Sequence, residues 1–262
     1  RLTVSTDDRQ TWSPPTVVLG ATGYDRCACD PSVVFFKGYY YMVYSGNIEN
    51  VQTANFLARS LSPTGPFVKY GDGGTQWGGE AMANPTPIVL PKIPTMDGPL
   101  ARYGAGQASL VVRGGVVYQW YTDTSFIGGG DRILLTTSED MIHWTPAIDT
   151  GHRRASVDVK YNKSTGKYNL YDIDYVSAQG YYLRMSESID GLSWSTPALV
   201  RRVNDFAHNP GVSGNELGEL TDDPFVAFGA PQNFGTVDVF PYWDMYSMNL
   251  QTFEIKVMVK TQ

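Results

Sequence analysis

Four positions stand at or near the heads of similar short stretches, three of them carboxylates suited to proton chemistry: Asp30, Asp158 and Glu216, with Glu219 a rival to the last and Gln107 in the place equivalent to Asp30. Carboxylates brought together from separate stretches suit general acid/base work. One must be ionised to activate a water, and another must stay protonated to assist a leaving oxygen. Each has a plainer reading. Asp30 precedes Pro31, and Asp-Pro commonly starts a turn. Asp158 sits among Val157, Val159 and Tyr161, where an acid must be paired, hydrogen-bonded or functional, and Arg153 and Arg154 are nearby partners. Glu216 can be a solvated loop acid, and Asp172 and Asp174 turn or rim acids.

These residues need elements to hold them. Ser32–Phe36 and Tyr39–Tyr44 are rich in β-branched and aromatic residues and are separated by Lys37-Gly38, which reads as a hairpin. The pattern recurs at Gln107–Tyr121, at Ser156–Tyr171 with a longer turn at Lys163–Gly166, and more loosely at Val212–Gly229 with Pro224–Phe228 as second strand. Turns that lead to an aromatic follow the hairpins. Ser5-Thr6-Asp7-Asp8 leads to Trp12, Ser138-Glu139-Asp140 to Trp144, and Ser186–Gly191 to Trp194. They resemble the Asp-box turns of sialidases and related propellers, in which side-chain acceptors hold a β-turn and the aromatic plugs between blades. Ser60–Phe67 and Asn249–Phe253 stand in equivalent places.

The anchors Trp12, Phe67, Trp144, Trp194 and Phe253 recur about every 50 to 60 residues, with one wider gap that holds the insertion Gly71–Tyr103. Helical spacing is scarce, so the expectation is all-β: a five-bladed β-propeller spanning 1–262 as one domain. Five anchors but four inner hairpins suggest that the sequence begins inside a blade, with about 25 residues of that blade upstream. In a propeller the innermost strands line one funnel, which makes the heads of the hairpins converge.

Composition narrows the partners. The 262 residues carry a formal net charge of −6, which disfavours nucleic acid as the main partner. No apolar run approaches the roughly 18–20 residues that span a bilayer. Cys27 and Cys29 are too close in sequence for an unstrained disulfide and lack companions for zinc, so they read as free thiols. The compartment stays open, with a secreted or periplasmic location preferred to a cytoplasmic one. No cofactor is required, although a calcium or sodium ion on the propeller axis is compatible with oxygen-rich loops. Aromatics make up 13% of the chain, and some can stack on the C–H faces of sugars. Trp77, flanked by glycines in the insertion, is the leading rim candidate; Phe126 and Trp243 are others, while Trp120 reads as core. Gln107, His208, Arg154 and Asp123 complete the expected substrate-binding set.

The Asp30-Pro31-Ser32-Val33 start, the hairpin ending Tyr40-Tyr41-Met42-Val43-Tyr44-Ser45, and Ser60–Phe67 resemble glycoside hydrolase family 43 and its five-bladed relatives. The resemblance implies an inverting hydrolase of arabinan- or xylan-like carbohydrate with three acids: Asp30 as base, Asp158 as modulator of the acid's pKa, and Glu216 as acid. The Glu-Gly-Pro context of that acid is replaced here by Asn-Glu-Leu-Gly, which keeps Glu219 in contention, and Gln107 stands where the family often has an acid. Two other readings remain. A phosphorolytic relative would gather Arg153, Arg154 or Arg184 beside the acids. A non-catalytic sugar-binding propeller would need no acid pair.

Overall fold

The computed structural model describes the chain except residues 23–24, 49–51, 72–75, 79–83, 94–102, 127–130, 155, 178, 204–206, 232–242 and 260–262. For Arg26, Cys27, Ile48, Pro231, Trp243, Asp244, Val257 and Val259 it describes only the backbone.

Lys37 and Gly38 both adopt positive φ (45° and 89°), as do Gly114 and Gly115 (59° and 80°). Two successive left-handed residues make the tight turn whose twist matches paired strands, so both places fold into hairpins. Antiparallel pairing then continues outward. The first sheet runs β1 (Arg26–Phe36), β2 (Tyr39–Ile48), β3 (Gln52–Ser60), β4 (Val68–Gly71) and β5 (Gln76–Gly78), with β6 (Pro87–Val89) also paired to β3. The insertion foreseen around 71–103 thus extends this blade. The second comprises β7 (Ala105–Arg113), β8 (Val116–Asp123), β9 (Arg132–Ser138) and β10 (Ile148–Asp149). The third comprises β11 (Asp158–Asn162), β12 (Lys167–Val176), β13 (Gly180–Ser188) and β14 (Ala198–Arg202). The fourth comprises β15 (His208–Val212), β16 (Phe225–Pro231), β17 (Trp243–Asn249) and β18 (Ile255–Val259). No helix occurs among the described residues.

The apolar faces of neighbouring sheets meet, so the core is divided among the blade interfaces. Val34, Leu57, Leu110 and Val117 pack between the first and second blades. Val111, Trp120, Val159 and Leu170 join the second and third, and Leu183, Val226 and Phe228 the third and fourth. The aromatic anchors are the plugs expected of them: Trp144, Trp194 and Phe253 each pack against one of these clusters. The turns before them are held as Asp-box turns. Asp140 Oδ1 accepts from the amides of Ile142 and His143 at 2.8 and 2.7 Å, and Asp190 Oδ1 from those of Leu192 and Ser193 at 2.8 Å. The serine of the latter turn is Ser188, whose Oγ accepts from Gly191 N at 2.8 Å.

The fold is a β-propeller. Four blades are present among the described residues, one sheet of six strands and three of four, and the N-terminal stretch, with a single antiparallel bridge Leu2–Thr16, lies between the fourth and the first. That stretch touches both neighbours: Arg9 pairs with Asp223 at 2.6 Å and covers the Phe225 ring, while Val18 and Leu19 pack in the cluster of Phe67. One element differs from expectation. The inner strand of the fourth blade is His208–Val212, ahead of the Val212 start read from sequence, because its polar residues hid the strand.

Candidate active site

The inner strands β1, β7 and β15 share a local distortion, and the residue just ahead of β11 repeats it. Asp30, Gln107, Ser156 and Asn209 all have left-handed backbones, with φ of 47°, 54°, 54° and 52°. Pairing slips beside the three that lie within strands. A bulge of this kind re-aims a side chain out of the pleat, and a left-handed non-glycine residue persists only when its surroundings demand it. The four residues are therefore structural equivalents at one end of the axis. Each stands three positions before an apolar residue: Asp-Pro-Ser-Val, Gln-Ala-Ser-Leu, Ser-Val-Asp-Val and Asn-Pro-Gly-Val.

Three of them are tied to one another. Gln107 Oε1 accepts from Ser156 N at 3.0 Å, Gln107 Nε2 donates to Asn209 Oδ1 at 3.4 Å, and Ser156 Oγ donates to the same Asn209 oxygen. Asp30 is held separately, its Oδ2 accepting from the Tyr103 hydroxyl at 3.0 Å. The ring opens a cavity of about 890 Å³ that descends the axis past Asp158 and Lys160 to Asn215. A second basin of about 620 Å³ shares Gln107, Ser156, His208 and Asn209 and adds Asp131, Arg154 and Asp174.

Asp158 belongs one step deeper, at the position equivalent to Ser32, Ser109 and Gly211. It is buried, and its oxygens are fully engaged. Oδ1 accepts from Ser109 Oγ at 2.6 Å and pairs with Lys160 Nζ at 2.5 Å, while Oδ2 accepts from Val212 N at 2.5 Å. One carboxylate thus ties the second, third and fourth blades together. Its partner is Lys160; Arg153 pairs with Asp149 at 2.8 Å and Arg154 with Asp174 at 2.6 Å.

Glu216 and Glu219 lie at the other end. The carbonyls of Glu216, Leu217 and Gly218 accept in turn from Phe35 N, Val112 N and Tyr161 N at 2.6, 2.8 and 3.0 Å. Those amides end the inner strands of three blades, so the loop closes the axis opposite the ring. Phe35 is five residues along β1 from Asp30, or about 16 Å of strand. The structure does not bring Glu216 to Asp30, and the base–acid pair expected from sequence is not assembled. Glu219 is tied to Lys163 at 2.6 Å and to Asn215 Nδ2 at 2.6 Å. Burial alone would raise its pKa, but the ammonium and amide outweigh it and lower it, the opposite of what a proton donor requires.

Three other expected binders also lie elsewhere or are tied. Trp77 is on β5 and does not line the axial cavity; it packs on Tyr41 and Tyr70, with Arg59 over its ring at 3.9 Å. Asp123 is fully buried and spends both oxygens on the amides of Lys92 and Ser125, at 2.7 and 2.8 Å. Arg154 lines the second basin, yet shares Asp174 with Arg184. His208 and Gln107 line the cavity. Trp120 is core and donates to Gly191 O at 2.8 Å; Phe126 is half-buried under Arg132, and the Trp243 side chain lies outside the described residues. The Cys29 side chain is exposed and lies 3.5 Å from Asp30 Oδ2. Among the described residues no three His, Cys, Asp or Glu side chains gather as for a metal ion.

No family model and no curated protein matches the chain. Solved structures do. A thermostable family-43 glycoside hydrolase is 19% identical over 95% of this chain and 82% of its own, with a TM-score of 0.56. The α-L-arabinofuranosidase CtGH43 of Clostridium thermocellum is 15% identical over 97% and 80%, with a TM-score of 0.57. The Bacteroides ovatus protein Xyloglucan PUL GH43B is 12% identical over 92% of this chain but only 42% of its own length, with a TM-score of 0.57. The class defined by the fold is therefore the propeller of the family-43 glycoside hydrolases. At these identities the likeness extends to the fold alone.

Proposed function

We propose that the protein is a glycoside hydrolase that binds an arabinan- or xylan-like carbohydrate at the ring, with Asp30 as the general base of a single displacement. The observation that carries this reading is the placement of Asp30: it is the one carboxylate in the four-residue ring, oriented by a hydroxyl at the head of the axial cavity. Gln107, Ser156, Asn209 and His208 add the donors and acceptors that sugar hydroxyls need. Asp30 would take a proton from water as that water attacks the anomeric carbon, while a protonated acid on the opposite side gives its proton to the departing oxygen. Asp131, in the adjoining basin, is the candidate for that acid, because Asp174 beside it is committed to two guanidinium groups. Those same pairings weigh against phosphorolysis, since a phosphate would have to displace carboxylates from Arg153, Arg154 and Arg184.

Digestion of a glycan library by the wild type, Asp30→Asn, Asp131→Asn and Glu216→Gln tests the assignment. The wild type should release product, Asp30→Asn should lose about 100-fold or more, and Glu216→Gln should retain activity. Equal product release by Asp30→Asn would remove Asp30 from the chemistry. The second reading, a non-catalytic carbohydrate-binding propeller, is favoured by the uncharged side chains at three of the four ring positions. Under it the wild type binds glycans, and no variant changes product release because there is none.

A further inference from the structure

We infer that Tyr103 is a positioning residue for Asp30, holding its carboxylate toward the ring; the role rests on the reading of Asp30 as base. The hydroxyl of Tyr103 donates to Asp30 Oδ2 at 3.0 Å, a bond that fixes the direction of the carboxylate. Asp30 holds a left-handed backbone at φ 47°, a conformation that persists only where the surroundings fix it.

The surroundings of the tyrosine are built for this contact. Its carbonyl accepts from Thr53 N at 2.7 Å, which pins the segment to β3. The next residue, Gly104, has φ +98°, and a Cβ there would meet Thr53 O at 2.5 Å, so only glycine lets the chain press this close. A Cβ on Gly106 would lie 2.4 Å from the Tyr103 hydroxyl and 2.7 Å from Ser45 Oγ. The missing side chain at Gly106 is the space through which the hydroxyl reaches Asp30. Ser45 Oγ, beside the hydroxyl, accepts from Gln107 N at 2.9 Å, which ties this corner of β2 to the ring residue of β7. Burial first, and the negative charge of Asp30 second, push the phenol's pKa upward, so it stays a donor at working pH.

The other groups facing Asp30 do not replace it. The Cys29 thiol lies 3.5 Å from Oδ2 and is a weak donor. His208 lines the same cavity, and Asp158 and Lys160 further down neutralise each other. All remain in place when only the hydroxyl is removed.

The test compares wild type, Tyr103→Phe and Gly106→Ala by kcat and KM on a glycan from the library and by crystal structures of the folded variants. Without its donor the Asp30 carboxylate should turn away from its ring-facing rotamer in Tyr103→Phe, and kcat should fall about tenfold or more with KM little changed. Gly106→Ala, which keeps the hydroxyl but displaces it, should reproduce the loss; if it fails to fold, Tyr103→Phe alone decides. An Asp30 carboxylate that stays in place in a folded Tyr103→Phe overturns the proposal. Should no glycan be cleaved by the wild type, the hydrolase reading fails while the crystal structures still decide the role of Tyr103.

Discussion

Asp158 and Asp30 show how neighbouring acids acquire different roles. Asp30 stands in the ring with one side-chain oxygen held by a hydroxyl, whereas Asp158 is enclosed by Ser109, Lys160 and Val212. Removing one partner of a buried pair leaves the other charge uncompensated, which costs more than the pair itself contributes. Asp158→Asn should therefore destabilise the fold by about 3 kcal/mol in urea unfolding, and Lys160→Met added to it should recover part of the loss. A catalytic modulator would behave differently: stability would be kept and only the pH profile would move. The hydroxyl of Tyr40 offers a smaller contrast. It donates to Glu216 Oε2 at 3.3 Å on the exposed face of the closed end, far from the ring.

At the level of elements, the loop from Asn215 to Glu219 decides how the axis is sealed. Asn215 Oδ1 accepts from the amides of Leu217 and Glu219 at 2.9 and 3.0 Å, which curls the loop so that three successive carbonyls face three strand ends. Gly218 has φ +77°, and a Cβ there would meet Leu110 O at 2.4 Å. Gly218→Ala combines a strained backbone with a backbone clash, so a loss of about 2 kcal/mol or more is expected in chemical denaturation. If the loop is a seal and no part of the chemistry, product release by the remaining folded protein should match the wild type. The same loop explains why a sequence reading draws Glu216 to the mouth. Its place along the chain suits a fourth inner hairpin, but β15 has already formed that strand, and the chain then turns back beneath the axis.

Across the whole molecule, stability and acidity are linked through buried carboxylates that hold strands together. Asp172 is buried in β12 and accepts from Arg184 at 2.7 and 2.9 Å and from His152 at 3.1 Å. Burial would raise its pKa; His152 and Arg184 outweigh burial and lower it. A depressed folded-state pKa gives stability that is present above the unfolded value of about 3.9 and lost as pH falls through the folded value. Asp25, locked to Lys69 at 2.6 Å where both are buried, has the same sign. Acid unfolding should therefore be steep below about pH 4, and Asp172→Asn should flatten that limb while lowering stability at neutral pH by about 3 kcal/mol. A limb of unchanged steepness in Asp172→Asn would place the acid sensitivity elsewhere.

Much of the propeller can be read from the sequence because its signals are local. Two-residue turns such as Lys37-Gly38, period-two apolar strands and the Ser-x-Asp turns before Trp144 and Trp194 each depend on residues a few positions apart. The Asp-Pro-Ser-Val stretch also singled out Asp30, but the strand runs back to Arg26 and places that residue at a bulge within β1 and not ahead of it. Ser156 and Asn209 escaped notice because a serine or asparagine ahead of a strand is unremarkable until its left-handed backbone and common register are seen. Asp158 was placed with Asp30, although two residues along an inner strand separate a ring position from a buried one. Tyr103, Lys160 and the closed-end loop reach their partners through contacts 73 residues apart, two residues apart on a buried pair, and across three blades. The sequence by itself determined the repeat, the strand chemistry and the Asp-Pro-Ser-Val stretch that carries Asp30. Only the tertiary structure decided which end of the axis each acid occupies, since that depends on where loops return after the strands have paired, and no local pattern encodes it.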